Sequence, residues 1–195
     1  MMKLVSNVLT IMNPGKFLIP LKLKWKSLGK LNRGLIVSAV VVSVATTIST
    51  LMFVAKQNKV RDIKCLAMNI YHEARGEPVS GQYAVAAVTM NRVKSRRHPN
   101  EVCRVVYLQA WSKRHQRISS AFSWTSDALD DIPKEDDAWK SALAIAWQVY
   151  KQDIPGGAEN DKVKEALFYH ADYVTPRWAA NKIKITKIGK HIFYK

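Results

Sequence analysis

Glu73 stands at the end of an apolar run, Ile63, Leu66, Ala67, Ile70 and Tyr71, whose spacing is that of one helix face. Gly76 follows and can stop the helix, which puts the carboxyl near the negative end of the helix dipole and beside apolar side chains. Both surroundings disfavour the charged form, and an acid that keeps its proton near neutral pH can serve as a general acid. The same spacing also suits an ordinary glutamate paired with Arg75 or Arg92. Glu77 is the competing acid, but between Gly76 and Pro78 it is better suited to capping the next helix or bonding the turn. No second acid stands out as a catalytic partner. Asp127, Asp130, Asp131, Glu135, Asp136 and Asp137 form a cluster that reads as a solvated loop and helix start. His72 and His170 come without HExxH or any comparable ligand spacing, so neither a metal nor a cofactor is expected.

The elements that must position these residues can be read from periodicity. A second helix should be capped by Ser80, run through Tyr83, Ala84, Ala87, Val88, Asn91 and Arg92, and end at the basic Lys94, Arg96 and Arg97 before His98-Pro99. A third should begin near Asp136, continue through Trp139, Leu143, Ala146 and Tyr150, and close at Ile154-Pro155-Gly156-Gly157. The stretch 107–131 is irregular and reads as a surface loop or short helical turns. Near the C-terminus the period changes to two. Ile183 and Ile185 alternate with lysines and Thr186, and Gly189 separates them from His191-Ile-Phe-Tyr194, so the two runs read as a hairpin with 166–170 as a partner strand. The fold class expected is α+β, mainly α, with a small antiparallel sheet.

At 195 residues the chain has room for one domain and an appendage. With 48% hydrophobic residues, 8 Gly and 7 Pro, it is neither disordered, collagen-like nor disulfide-dense. Thirty-one Lys and Arg against 15 Asp and Glu leave a net charge of +16, which favours a polyanionic partner: nucleic acid, an anionic membrane or an acidic wall polymer. The charge is interrupted by Gly34–Ala55, 22 residues without a charge. A helix of that length spans about 33 Å against about 30 Å of hydrocarbon, long enough to cross a membrane. A cleaved signal peptide is the rival reading, but a 33-residue basic leader and a 22-residue apolar run exceed the usual pattern. Six Lys and Arg flank the entry and four the exit, so the N-terminus is expected in the cytoplasm. The expected organisation is a basic cytoplasmic tail, 1–33; a transmembrane signal-anchor, 34–55; a polar linker, 56–61; and a globular domain, 62–195, facing the periplasm or exterior. There Cys65 and Cys103 are an even pair in an oxidising compartment, and a disulfide between them is expected over two buried thiols.

Several blocks then carry a specific resemblance. Cys65-Leu-Ala-Met-Asn-Ile-Tyr-His-Glu-Ala-Arg-Gly-Glu77, Gly81–Val88, Asn91-Arg-Val93, Cys103, Ala121-Phe-Ser-Trp-Thr125, Tyr169–Trp178 and Ile188–Tyr194 resemble, in order, the SleB-type cell-wall hydrolases. The resemblance covers about residues 62–195 and implies a lysozyme-like helical domain that cuts peptidoglycan glycan strands. It raises Glu73 above its competitors as the catalytic acid. It also makes the missing partner carboxylate meaningful: hydrolytic glycosidases use two acids, whereas a lytic transglycosylase lets the muramic C6 hydroxyl attack and needs one. In such a groove Trp124, Tyr169, Tyr173 and Trp178 could stack on sugar rings, and Glu77, Asn91 and Ser123 could bond hydroxyl or acetamido groups. The partners implied are peptidoglycan strands and, through 34–55, the membrane. Two alternatives stand beside this reading: an N-acetylmuramoyl-L-alanine amidase, for which a His-rich ligand set is lacking, and a membrane-anchored nucleic-acid-binding protein using Arg104, Lys113, Arg114 and Arg117 around Trp111. The basic patch equally suits anionic wall polymers, so no nucleic-acid partner is expected.

Overall fold

The computed structural model describes residues 29–112, 116–152 and 162–195. The basic tail up to residue 28, Lys113 and Arg114 of the basic patch, and the closing segment 154–157 lie outside the described residues. The chain divides into two units, Met1–Ala55 and Lys56–Lys195, and helix α1 (Lys30–Ala74) contributes to both.

In the first unit every side chain from Gly34 to Ala55 is exposed. The segment is long and apolar enough, by length and composition, to cross a membrane. Four of its hydroxyls are satisfied within the helix: Ser38 donates to the Leu35 carbonyl (2.9 Å), Thr46 and Thr47 to that of Ser43 (2.9 and 2.8 Å), and Thr50 to that of Thr46. Such back-bonding satisfies these four hydroxyls without a partner outside the helix, which suits a hydrocarbon solvent.

The second unit is mainly helical with two small antiparallel sheets. The C-terminal part of α1 buries Ile63, Leu66, Ala67, Ile70 and Tyr71, the face its spacing predicts, against α2 (Val79–Lys94), α3 (Val102–Val106) and α4 (Asp136–Tyr150). Helix α2 lies between two cores. Tyr83 and Ala86 face the α1 and α4 cluster, while Ala84 and Val88 pack with Val163, Ala166, Ile188 and Phe193. Its small side chains let both layers approach closely. Ser80 does not cap α2. The helix starts at Val79 behind Pro78, without a side-chain cap bond, because proline's fixed φ and missing N–H suit a helix start.

Stretch 107–131 is not irregular throughout. It contains a hairpin, β1 (Gln109–Ser112) with β2 (Arg117–Ser120), in which Trp111 faces Ile118, followed by a 3-10 helix, Ser123–Ser126. Trp111 and Ile118 are both exposed, so no buried face imposes the alternation by which a strand is recognised. The second sheet has order β3-β5-β4, with β5 (His191–Tyr194) central between β3 (Phe168–Ala171) and β4 (Lys184–Ile188), as the period-two pattern predicts. Gly189 turns the β4–β5 hairpin at φ +56°, and a Cβ there would lie 2.1 Å from Glu77 Oε2. Glycine is required twice, for conformation and for space. A disulfide joins Cys65 on α1 to Cys103 on α3, Cα to Cα 5.2 Å.

Candidate active site

The last turn of α1 and the residue just after it deliver four polar side chains, Tyr71, His72, Glu73 and Arg75. Three of them fasten the acidic loop before α4. The Tyr71 hydroxyl accepts from the Lys134 and Glu135 amides (3.0 and 3.2 Å), Arg75 Nε donates to Glu135 Oε1 (3.0 Å), and His72 Nε2 lies 3.0 Å from the Asp131 carbonyl. A carbonyl only accepts, so His72 carries its hydrogen on Nε2. The acidic cluster is therefore tied down at Glu135 and at the backbone of Asp131, while Asp127 and Asp130 accept the amides of Leu129 and Ile132 at 3.0 Å in local turns.

The fourth side chain is Glu73. Its Oε2 accepts a hydrogen bond from the Tyr169 hydroxyl on β3 at 3.0 Å. Burial raises its pKa above the usual carboxylate value, and the Tyr169 bond and the charge of Arg92 oppose that rise without cancelling it. The Tyr169 phenol is pushed well above its ordinary value, first by burial and then by the Glu73 charge, so it stays a donor. Arg92, 9% exposed, donates through Nε to the Leu167 carbonyl (2.9 Å) and lies over the Phe122 ring at 4.9 Å. Burial lowers its pKa, which Tyr169 and Glu73 hold up in turn. The result is a shielded acid whose proton is favoured by desolvation and whose orientation is set by one phenol.

Glu73 opens on a groove of about 380 Å³ that is also lined by Arg75, Glu77, Tyr173, Lys190 and His191. Glu77 is committed within it. Its Oε2 accepts the Lys190 amide at 2.7 Å and lies 3.9 Å from His191 Nδ1, so it clamps the β4–β5 turn to the α1–α2 turn. It does not cap α2. His191 is 8% exposed, and burial lowers its pKa despite the neighbouring Glu77 and Asp172.

The other residues singled out by sequence divide between groove and scaffold. Tyr173 lines the groove and is 81% exposed, a free aromatic face. Trp178 packs among Phe168, His170 and Tyr194 with one side open. Ser123 is exposed at the start of its 3-10 helix. Trp124 is buried instead: its ring stacks on His72 at 4.4 Å, and its Nε1 donates to Asn69 Oδ1 at 3.0 Å. Asn91 gives its amide hydrogens to the Val163 and Ala166 carbonyls (2.8 and 2.9 Å), bracing the segment that leads into β3. Both act as scaffold here, because the indole N–H and the amide hydrogens are already given to protein groups. Sequence reasoning missed Asn69, fully buried and also bonded to Thr89 (3.1 Å), although one amide on an apolar helix face was a signal. It missed His191 too, which shares the inward alternation of Phe193. Among the described residues no group of three or more His, Cys, Asp or Glu is arranged to hold a metal ion.

Residues 76–194 match the Cell Wall Hydrolase family, a stretch that begins just after Glu73. The spore cortex-lytic enzyme of Bacillus cereus is 36% identical over 135 residues, 69% of this chain and 44% of that protein. That of Bacillus subtilis is 35% identical over 133 residues, 68% of this chain and 37% of that protein. The chain thus spans less than half the length of these curated relatives. Among solved structures, the catalytic domain of the Bacillus cereus SleB protein is similar at 35% identity, covering 71% of this chain and 91% of that one with a TM-score of 0.48. The catalytic domain of the germination-specific lytic transglycosylase SleB from Bacillus anthracis is similar at 34%, covering 69% and 93%, also at 0.48. With more than half its residues matched, the chain belongs to the cell wall hydrolase family.

Proposed function

We propose that this protein cleaves the MurNAc–GlcNAc bond of peptidoglycan as a lytic transglycosylase, with Glu73 as its single catalytic carboxyl on a lysozyme-like domain. The observation that carries this reading is the environment of Glu73: a desolvated carboxyl, hydrogen-bonded by Tyr169, that faces an open groove whose other carboxylate, Glu77, is tied to the Lys190 amide. The family and the spore cortex-lytic relatives supply the substrate class.

In this mechanism protonated Glu73 gives its proton to the glycosidic oxygen as the bond to muramic C1 breaks. Positive charge develops on the ring, and the ionised Glu73 then takes the proton of the muramic C6 hydroxyl as its oxygen bonds to C1. The products are a free glucosamine hydroxyl and a 1,6-anhydromuramic end, and the glutamate is again protonated. Burial keeps the acid protonated for the first step, while the Tyr169 bond stabilises the carboxylate for the second. Exposed Tyr173 offers an apolar face to a sugar ring.

Residues 34–55 are proposed as a membrane anchor with 1–33 in the cytoplasm and 62–195 outside, supported by the unburied apolar helix and the excess of Lys and Arg before it. The test of the site is Glu73→Gln, which keeps the shape but cannot donate. Cleavage of purified peptidoglycan should fall about 10²-fold or more, the scale of general acid catalysis, and Glu77→Gln should lose less. A live Glu73→Gln beside a dead Glu77→Gln would reverse the assignment.

A further inference from the structure

A second cavity, of about 400 Å³, shares Tyr169 with the acid. Its apolar wall is Leu108, Ala121, Phe168 and Trp178, and its polar wall is Arg92, His98 and Lys182. No carboxylate lines it, in contrast to the groove on the Glu73 face, which holds two. The Lys182 ammonium sits 3.9 Å above the Phe168 ring, which also lines the cavity, and this contact holds its charge against the cavity wall. His98 Nδ1 is buried and has no hydrogen-bond partner among the described residues. Burial, reinforced by the charges of Arg92 and Arg97, pushes the His98 pKa below its ordinary value. The positive charges of Arg92 and Arg97, which oppose a proton on His98, favour an anion beside it.

We propose that this cavity receives a carboxylate of the stem peptide carried by the muramic residue at the cleavage site, with Lys182 and His98 as its recognition groups. The inference rests on the glycan-cleaving reading of Glu73. N-acetylglucosamine is neutral, and muramic residues substituted on their lactyl group carry their negative charge in the stem peptide, so a cationic cavity has little to bind on the sugars themselves. Tyr169 bonds Glu73 with its hydroxyl and lines the cavity, so the cavity begins one side chain from the acid. A substituent of the sugar under attack would reach it. The apolar wall suits the alanine side chains and the peptide's aliphatic stretches, and an unpartnered imidazole nitrogen can donate to a carboxylate as the Nδ1–H tautomer.

The experiment measures kcat/KM of the full-length protein in detergent on two forms of one substrate: native strands, and the same strands with their carboxylates converted to amides. The wild type should prefer native strands about tenfold, the scale of one charge-assisted hydrogen bond. Lys182→Glu should bring the ratio to one or below, Lys182→Gln should lower it less, and Lys182→Arg should preserve it. Lys140→Glu makes the same charge change on exposed α4 and should leave the ratio intact. A wild-type ratio near one, or an equal collapse in Lys140→Glu, would overturn the proposal. A wild type that cuts both substrates equally well defeats the cavity alone. Neither substrate being cut defeats the reading of Glu73 and this inference with it.

Discussion

Tyr169 holds the balance between the two protonation states of Glu73. Its hydroxyl stabilises the carboxylate and so lowers a pKa that burial raises. In the proposed mechanism Glu73 must be protonated to start the reaction, so activity should be lost as pH rises through its pKa. Tyr169→Phe removes the lowering influence. The alkaline limb of the pH–rate profile should therefore move to higher pH, while the maximal rate drops because the carboxylate formed midway is less stabilised. A limb that stays in place would mean that another group sets it. The helical spacing put Glu73 at the end of an apolar helix, and only the family resemblance singled it out from an ordinary arginine-paired glutamate. Tyr169 was legible only as an aromatic surface, because the bond that gives it its role joins residues 96 positions apart. Trp124 and Asn91 misled for the same reason: indole N–H and amide groups look available until the folded chain supplies Asn69 and two carbonyls.

At the scale of elements, the site depends on how firmly the end of α1 is held. Tyr71, His72 and Arg75 fasten it to the loop before α4, Glu77 fastens the following turn to the β4–β5 hairpin, and the Cys65–Cys103 bond fastens α1 to α3. The bond closes 38 positions, and the chain-entropy account values such a closure at roughly 4 kcal/mol. Denaturant unfolding followed by tryptophan fluorescence should show a loss of that order in the Cys65→Ala/Cys103→Ala double variant. Equal stability of the two proteins would mean that the bond contributes nothing. The three main helices and the C-terminal hairpin could be read from periodicity because each buries a face. The β1–β2 hairpin could not, since Trp111 and Ile118 lie exposed on it. The start of α2 was misread because Ser80 looks like a cap, whereas the helix begins one residue earlier, at Val79 behind Pro78, with no side-chain cap.

At the scale of the whole molecule, an apolar helix with every side chain from 34 to 55 exposed is stable in lipid and costly in water. Fractionated cells should hold full-length protein in the membrane pellet through carbonate extraction, and abundant uncleaved protein in the soluble periplasm would contradict anchoring. The most direct test of the central claim is mass spectrometry of the muropeptides released from peptidoglycan by the full-length protein in the presence of chelator. A single-glutamate transglycosylase predicts glycan fragments ending in 1,6-anhydromuramic acid, one water lighter than the hydrolysis product. Fragments with only reducing ends, or stem peptides freed from intact strands, would contradict it.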